Sequence, residues 1–378
     1  MIYLDNAATT FPKPDSVVTE VAKCMREYCG NPGRGSHTLS LKASEAVFRA
    51  RESVCNMFNG PGPERCIFTL NTTYALNIAL KAVVTRGSHI LVSDLEHNSV
   101  IRQVEKLKND GIVSYDVFRT FGGDRKRITE DIKLKIKKNT KILICQIASN
   151  ICGITMPVEQ IGKLCRNYGL FFIADAAQFA GIYAIDMKEM KIDALCFPAH
   201  KALYGPQGAG CVMFSERLFD NRGETIIEGG SGSNSLSALM PDTLPDRFEA
   251  GTISTPAVSG LIRGIEFVES AGFRSISAHE SELTGALLSA LSCDRRFEIY
   301  APLETGGIVL FNIKGKPSVD VAGELNDRGI CTRAGFHCAP LAHKTLMTGE
   351  TGAVRVSFGM FNTKKDVKTL LDSLVFIK

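Results

Sequence analysis

The chain has 378 residues, and its 44 basic and 40 acidic side chains leave a formal net charge of +4. Hydrophobic residues make up 44% and charged residues 22% of the chain, which is ordinary for a globular protein and excludes the disordered and fibrous classes. Basic residues come only in short runs, such as residues 125–127, which are typical of solvated helix ends. Nucleic-acid binding needs a clustered basic face, so we expect no nucleic-acid partner.

The N-terminus and the cysteines together indicate a cytoplasmic protein. Residues 1–6 carry neither a basic start nor an apolar segment, so they do not form a secretory signal. The apolar stretch at residues 170–174 is too short to span a bilayer, so we expect no membrane contact. Twelve cysteines without an export signal are expected to be reduced thiols, and without a C-x-x-C pair no metal site is expected.

From about residue 45 to about residue 215, β-rich runs alternate with helical segments, which is typical of a parallel sheet with crossover helices. The predicted strands cover residues 65–69, 89–93, 113–118, 141–147, 170–174, 194–197 and 208–214. The predicted helices between them include residues 74–84, 128–137 and 158–168. The pattern therefore predicts an α/β fold with a mostly parallel central sheet.

The last third of the chain predicts a second, smaller domain. Residues 228–234 are rich in Gly and Ser and indicate a loop. After Pro256 we predict further helices, a strand at 307–313, a helix near 319–328 and a final helix after Lys364. We expect residues 15–255 to form the large domain, residues 256–378 to form a smaller α/β domain, and residues 1–14 to pack against the smaller one.

Polar side chains directly follow the predicted strands. Because ligands of an open parallel sheet bind beyond the carboxyl ends of its strands, these residues are the candidate site. Thr72 and Thr73 begin a predicted helix, where free N–H groups suit a phosphate, although a Thr N-cap explains them as well. The other polar residues at this edge are Glu96, His97, Asn98, Ser149, Asn150, Asp175, Gln178, His200 and Lys201.

Asp175 and Lys201 carry charges that are costly at the end of an apolar strand. A buried carboxylate at Asp175 needs a cationic partner, which is either a protonated pyridine nitrogen or a structural ion pair. Lys201, partly desolvated beyond the apolar run 194–197, is expected to have a lowered pKa and to form an imine with an aldehyde. Most lysines are surface groups, so the joint occurrence of these residues is what favours a cofactor site.

Nine motifs follow one another in a specific order along the chain. They are YLDNAATT (3–10), RGSH (34–37), TT (72–73), EH (96–97), Asn150, ADAAQ (174–178), HK (200–201), RFEAGT (247–252) and RAGFHC (333–338). In this order they resemble class V, fold-type I pyridoxal-phosphate enzymes of the cysteine desulfurase and selenocysteine lyase family. The resemblance implies the fold-type I transferase fold and pyridoxal 5'-phosphate as the cofactor.

The resemblance also implies roles around the cofactor ring. Lys201 would carry the cofactor as a Schiff base, Asp175 would pair with the pyridine nitrogen and Gln178 would contact the phenolic oxygen. His97 would stack on the ring and move protons, as the near-neutral pKa of a histidine permits. Asn150 would contact both the cofactor and the substrate.

The implied phosphate cradle contains Thr72, Thr73 and His200, with Thr252 reaching in from the second subunit of a homodimer. The family commonly has a Ser three residues before the lysine. Here that position is Pro198, which has neither a hydroxyl nor an N–H. We therefore expect the cradle to lose one contact or to recruit another.

For the substrate, the resemblance implies that Asn150 and Arg355 grip its carboxylate, while Arg333, His37 and Asn6 line the pocket. Arg355 alternates with apolar residues as in a strand, so an outward-facing charge is the alternative. A bidentate guanidinium–carboxylate contact fits the family better.

Cys338 differs from cysteines in apolar runs, such as Cys145, because basic, Gly and Pro residues surround it. Positive neighbours favour the thiolate, which is the nucleophilic form. The resemblance implies that Cys338 takes the sulfur of L-cysteine as an enzyme persulfide while L-alanine is released. By contrast, His343 is interpreted as structural or exposed.

Several alternatives stay open. A selenocysteine lyase acting on L-selenocysteine shares every residue cited. A pyridoxal enzyme that does not use Cys338, such as an aminotransferase, an epimerase or a C–S lyase, is a second class, and a non-catalytic scaffold is a third. Few residues separate Arg333 from Arg355, which resembles family members whose cysteine lies on a short loop. We therefore expect slow turnover in the absence of a sulfur-acceptor protein.

Overall fold

The computed structural model describes residues 1–33, 35–218, 223–301 and 306–377. Arg34, which begins one of the motifs above, lies outside the described residues. The helices are α1 (Asp15–Glu27), α2 (Thr38–Met57), α3 (Thr72–Lys81), α4 (Asn98–Asn109), α5 (Arg125–Lys135), α6 (Val158–Asn167), α7 (Thr255–Ala271), α8 (Phe273–Ser292), α9 (Ser318–Asp327), α10 (Pro340–Leu346) and α11 (Lys364–Leu374). The strands are β1 (Ile2–Tyr3), β2 (Cys66–Thr69), β3 (Ser88–Ser93), β4 (Val113–Phe118), β5 (Thr140–Gln146), β6 (Phe171–Asp175), β7 (Ala194–Pro198), β8 (Gly210–Phe214), β9 (Phe297–Tyr300), β10 (Ile308–Ile313), β11 (Ile330–Cys331), β12 (Arg333–Gly335) and β13 (Ala353–Ser357).

The central sheet, as far as the described residues show it, has seven strands in the order β2-β8-β7-β6-β5-β3-β4. The strands from β7 to β4 run parallel, whereas β8 lies antiparallel between β7 and β2. The predicted mostly parallel sheet is confirmed. The reversed direction of β8 has no signature in the sequence, because a strand buried on both faces reads as one apolar run whichever way it points.

Helices cover both faces of the central sheet. On one face, a buried cluster includes Val54 of α2, Leu164 of α6 and Leu261 of α7. On the other face, a second cluster includes Leu76 of α3 and Val104 of α4. This two-sided cover buries the inner strands of the sheet, and ligands of such sheets bind at the carboxyl ends of the strands.

A second, antiparallel sheet has the order β12-β13-β10-β9. Leu287 of α8, Val321 of α9 and Leu370 of α11 pack on it together with Leu4. The short β1 pairs in parallel with β11, so the N-terminal segment joins this part of the molecule. Helix α7 contacts α1 and α2, although it lies beyond the predicted domain boundary, and that boundary near Thr255 stays a prediction.

Helix α5 shows why one predicted helix start was wrong. The helix predicted at 128–137 begins at Arg125, because the Asp124 carboxylate accepts hydrogen bonds from the backbone N–H groups of Lys126 and Arg127 at 3.1 and 3.0 Å. Asp is a preferred N-cap, and this one starts the helix before its apolar face begins.

All twelve cysteines are free thiols. Burial raises the pKa of Cys145, Cys196 and Cys211 well above the usual value, so these thiols are inert core residues. In the described ranges, no helix is long and apolar enough to cross a membrane, and no group of three or more His, Cys, Asp or Glu side chains is arranged to hold a metal ion.

Candidate active site

Three candidate side chains meet at the carboxyl edge of the central sheet. Asp175 is the last residue of β6, and its Cα lies opposite Gln146 of β5 and Cys196 of β7. His97 lies between β3 and α4, and Lys201 follows β7 by three residues. The parallel strands thus bring a carboxyl, an imidazole and an amine to one edge.

Lys201 is half-buried, and its ammonium forms no hydrogen bond or ion pair with the part of the chain that the structure describes. Burial lowers the pKa of Lys201 to about 8; Asp175 opposes this shift, and Arg355 and Arg333 add to it. The side chain lines a cavity together with Gln178. A lysine with such a pKa has a sizeable neutral fraction near pH 7, and the neutral amine is the nucleophile and base.

Asp175 is buried, and its Oδ1 accepts a hydrogen bond from the backbone N–H of Ala177 at 2.9 Å. Burial raises the pKa of its carboxyl, while this N–H and the charge of Lys201 act in the opposite direction. None of the described basic side chains forms an ion pair with it, so the alternative of a structural ion pair finds no partner there. The carboxyl is available to a cationic ligand.

His97 is the N-cap of α4, where its Nδ1 accepts a hydrogen bond from the backbone N–H of Ser99 at 3.0 Å. Burial lowers the pKa of His97 to about 4, and the charge of Lys201 acts in the same direction. The near-neutral pKa that the sequence analysis assumed for His97 is therefore wrong, because burial lowers it. His97 is a neutral imidazole at pH 7.

The N-terminus of α3 presents the predicted anion site. Asn71 is the N-cap, because its Oδ1 accepts from the backbone N–H of Tyr74 at 3.2 Å, so the alternative of a Thr cap was wrong. Thr72 is buried at the helix start, and Thr73 is exposed. His200 Nδ1 is buried without a hydrogen-bond partner among the described residues.

Arg355 points inward from β13 and is almost fully buried, which excludes the outward-facing alternative. Its Nη1 donates to the backbone carbonyl of Asn150 at 2.8 Å, and its Nη2 donates to Asp5 Oδ1 at 2.6 Å. Arg333 lies opposite Arg355 on β12 and reaches the other oxygen of Asp5 at 3.9 Å. Arg355 thus links β13 to Asn150 in the loop after β5, and both arginines contact Asp5.

Cys338 is exposed on the turn between β12 and α10. Its carbonyl accepts a hydrogen bond from the backbone N–H of Asn98, at the start of α4, at 2.7 Å. The carbonyl of His337 accepts from Asn150 Nδ2 at 2.9 Å. These two bonds hold the thiol-bearing turn against the loops that carry His97 and Asn150.

Asn6 and Gln178 are both engaged by the chain itself. Asn6 Nδ2 donates to the carbonyl of Ser357 and to Asn362 Oδ1, both at 3.0 Å, so it ties the N-terminal segment to β13. Gln178 Nε2 donates to the carbonyl of Ala7 at 2.8 Å. Both side chains line the Lys201 cavity, and their ligand roles stay predictions.

His37 and Thr252 are not brought to Lys201 within this chain. His37 is exposed and caps α2 by accepting from the backbone N–H of Ser40 at 3.3 Å. Thr252 is exposed and lines a separate cavity with Tyr74. Their predicted roles remain predictions, and that of Thr252 involves a second subunit.

Comparison with known proteins places this site in a family. The sequence model of the aminotransferase class-V family matches residues 2–370. The chain belongs to the class-V aminotransferase family. A probable cysteine desulfurase of Methanothermobacter thermautotrophicus is 32% identical over 99% of this chain and 94% of its own length, and one of Staphylococcus aureus is 34% identical over 99% and 91%.

Solved class-V structures share the fold. The apo structure of a cysteine desulfurase from Thermococcus onnurineus superposes with a TM-score of 0.90 at 31% identity, covering 99% of this chain and 93% of that one. A cysteine desulfurase from Escherichia coli superposes with a TM-score of 0.86 at 25% identity, covering 99% and 93%. The fold-type I architecture predicted from the sequence is confirmed.

Asp5 is a residue of this site that the sequence analysis missed, and Glu96 was named there only as a polar residue at the sheet edge, without a role. Asp5 stood within a quoted motif, but its ion pair with Arg355 joins positions 350 residues apart and has no local signal. Glu96 is fully buried and accepts from Ser93 Oγ and from the backbone N–H of Gln146 at 3.1 Å. Burial raises the pKa of Glu96 to about 8, so it is largely a neutral acid at pH 7.

The unpartnered polar groups of this site fit pyridoxal phosphate. Among the described residues, His200 Nδ1, Asn150 Oδ1 and Arg355 Nε are buried without a hydrogen-bond partner, and Lys201 and Asp175 lack an ion-pair partner. Buried polar groups are normally satisfied, so this concentration indicates a polar ligand. Pyridoxal phosphate has a phosphate, a pyridine nitrogen and an aldehyde, which match these groups in kind.

Proposed function

We propose that this chain is a pyridoxal-phosphate-dependent cysteine desulfurase, which converts L-cysteine to L-alanine and leaves the sulfur on Cys338 as a persulfide. The observation that carries the proposal is the exposed Cys338 turn, whose carbonyls are hydrogen-bonded by Asn98 and Asn150 at the edge that holds Lys201. The cysteine desulfurase relatives, which match along the whole chain, support the same activity.

The proposal assigns the cofactor to the carboxyl edge of the central sheet. Lys201 would hold its aldehyde, Asp175 its pyridine nitrogen and His97 one face of its ring. The phosphate would lie at the N-terminus of α3 with Thr72 and His200, where helix N–H groups favour an anion. When bound, pyridoxal phosphate supplies an aldehyde for amines and a ring that delocalises electrons from the substrate Cα.

Lys201 would act as the base at the substrate Cα. Its pKa, lowered to about 8 by burial, keeps part of the amine neutral at pH 7, and only the neutral amine accepts a proton. Arg355 would hold the substrate carboxylate, since Asn150 and Asp5 fix its guanidinium and leave Nε free.

Cys338 would carry out the sulfur transfer. Its thiolate forms an S–S bond with the substrate sulfur while the substrate C–S bond breaks. The electron pair of that bond stays with the substrate carbon, which is protonated to give the methyl group of alanine.

The proposal extends to partners. Thr252 is exposed in this chain, which fits a phosphate contact across a homodimer interface. Cys338 is exposed as well, which fits delivery of sulfur to an acceptor protein and slow turnover without one. L-selenocysteine is the alternative substrate, because the same residues would act on it.

The test replaces Cys338 by Ser and follows L-alanine formed from L-cysteine. We expect alanine formation to fall at least about a hundredfold, because the nucleophile is lost, while the absorbance change on adding L-cysteine persists. Cys29→Ser, at another exposed cysteine, is the control and should turn over as the unchanged protein does. Undiminished turnover in Cys338→Ser would favour a C–S lyase or an aminotransferase.

A further inference from the structure

A chain of two histidines and a threonine lies behind the Cys338 turn. His343 Nε2 is 3.1 Å from His337 Nδ1, and Thr348 Oγ1 is 2.7 Å from His343 Nδ1. At the other end, His337 Nε2 is 3.4 Å from the backbone carbonyl of Arg333. The two rings stack with 5.3 Å between centroids and 14° between planes, and all three side chains are buried. His343 is therefore not the exposed residue that the sequence allowed.

Only one arrangement of protons satisfies every contact with both histidines neutral. The Arg333 carbonyl can only accept, so His337 Nε2 carries the proton and His337 Nδ1 accepts. His343 must then donate from Nε2, and its Nδ1 accepts from the Thr348 hydroxyl. Burial lowers the pKa of His337 to about 3 and that of His343 to about 4, so the neutral forms are present at pH 7.

The backbone of the Cys338 turn, which the two histidines and Thr348 support, is strained. His337 has φ 48° and Cys338 has φ 56°, in the left-handed region that side chains other than Gly seldom occupy. Such residues persist only where the surrounding structure holds them. On one side Asn98 and Asn150 bind the two carbonyls of the turn, and on the other side the histidine chain holds the His337 side chain.

We propose that His337, His343 and Thr348 are positioning residues that fix the direction in which the turn presents the Cys338 thiol. The inference rests on the proposed function, because sulfur transfer requires Cys338 Sγ to meet the substrate sulfur at a defined place. The three side chains act through the backbone of the turn and not on the substrate. Without the Thr348 hydroxyl, His343 Nδ1 becomes a buried acceptor with no donor. The orientation of the His343 ring, and through its Nε2–H that of His337, is then held less firmly.

Thr348→Val and Thr348→Ser form a matched pair, because Val removes the hydroxyl with little change in shape and Ser keeps it. For Thr348→Val we expect kcat for alanine formation to fall about fivefold, as for the loss of one buried hydrogen bond, with KM for L-cysteine within about twofold. Thr348→Ser should retain kcat within about twofold. Equal kcat in the two variants would overturn the proposal.

A second pair of variants tests His343, which lies between His337 and Thr348 in the hydrogen-bond network. His343→Gln keeps an amide donor for His337, so it should retain more activity than His343→Ala. Both variants should keep the absorbance change on adding L-cysteine, because the cofactor end of the site is untouched. Wild-type kcat in His343→Ala, or loss of the absorbance change in step with kcat, would overturn the positioning role.

Hydrogen exchange gives a readout that does not depend on catalysis. In Thr348→Val, peptides covering residues 335–346 should exchange faster than in Thr348→Ser, while peptides covering β6 and β7 should be unchanged. If the unchanged protein makes no alanine, the proposed function fails. The comparison of exchange in Thr348→Val and Thr348→Ser still shows whether the histidines and Thr348 hold the Cys338 turn. Equal exchange in the two variants would contradict the inference.

Discussion

Arg355 is the residue to which the proposal assigns the substrate carboxylate. Its guanidinium already bonds Asn150 and Asp5, so a third partner needs the fork of donors that only arginine has. In Arg355→Lys we expect KM for L-cysteine to rise about tenfold or more, since one charge-assisted hydrogen bond is lost, with kcat changed less. Steady-state kinetics with alanine detection measure both parameters.

Arg333→Lys is the matched control for Arg355→Lys. Arg333 is half-exposed and lies 3.9 Å from Asp5, so it has no short contact to lose. The KM of Arg333→Lys for L-cysteine should stay within about threefold of the KM of the unchanged protein, because an exposed ion pair contributes little. An equal rise in both variants would mean that the carboxylate lies between the two arginines.

For single residues, the sequence predicted which ones lie at the same edge of the sheet but not which distant residues contact each other. Lys201, Asp175 and His97 could be placed together because each directly follows a predicted parallel strand. Asp5 could not be assigned to Arg355, since their contact depends on the pairing of Asp5 with Ser357 of β13. The pKa of His97 could not be foreseen either, because it depends on burial and on charges from distant parts of the chain.

At the scale of elements, the strands and the parallel direction of most of them were predictable from the sequence, whereas the antiparallel β8 was not. The predicted strands all occur with ends shifted by at most two residues, because apolar runs bounded by turns mark buried strands well. The antiparallel β8 and the pairing of β1 with β11 depend on contacts far along the chain. The cofactor end of the site does not depend on these pairings, because Lys201, Asp175 and His97 follow β7, β6 and β3.

Helix α8 buries one acid in the wall of the Lys201 cavity. Glu280 is buried, and its Oε2 has no partner within the described ranges. Burial raises the pKa of Glu280 to about 8. Between its ordinary value of 4.5 and about 8, the unfolded chain loses this proton while the folded protein keeps it. This ionisation therefore lowers stability as the pH rises through that range and has no effect below it.

Replacing Glu280 by Gln removes this pH dependence. The Tm of Glu280→Gln relative to the unchanged protein should rise between pH 4.5 and pH 8, by the equivalent of about 4 kcal/mol at pH 8. Glu282→Gln, at an exposed position on the same helix, should change Tm by much less and in the opposite direction as the pH rises, because the ion pair with Lys364 lowers the pKa of Glu282. An equal Tm shift at both pH values in Glu280→Gln would disprove this account of the buried acid.

At the scale of the whole molecule, the proposed site exists only because two sheets meet. The central sheet supplies Lys201, Asp175 and His97, and the smaller sheet supplies Arg355 and the turn with Cys338. Hydrogen bonds from Asn98 and Asn150 join the two halves. The family resemblance predicted which residues would take part, but the contacts between the halves required the folded chain.

The central claim is that sulfur from L-cysteine ends on Cys338. The direct measurement adds L-cysteine labelled with heavy sulfur to the purified protein loaded with pyridoxal phosphate. The modified peptide is then identified by mass spectrometry without reduction. The account predicts labelled sulfur on Cys338 together with an equal amount of L-alanine. Labelled sulfur on another cysteine, or free sulfide with no alanine, would contradict it.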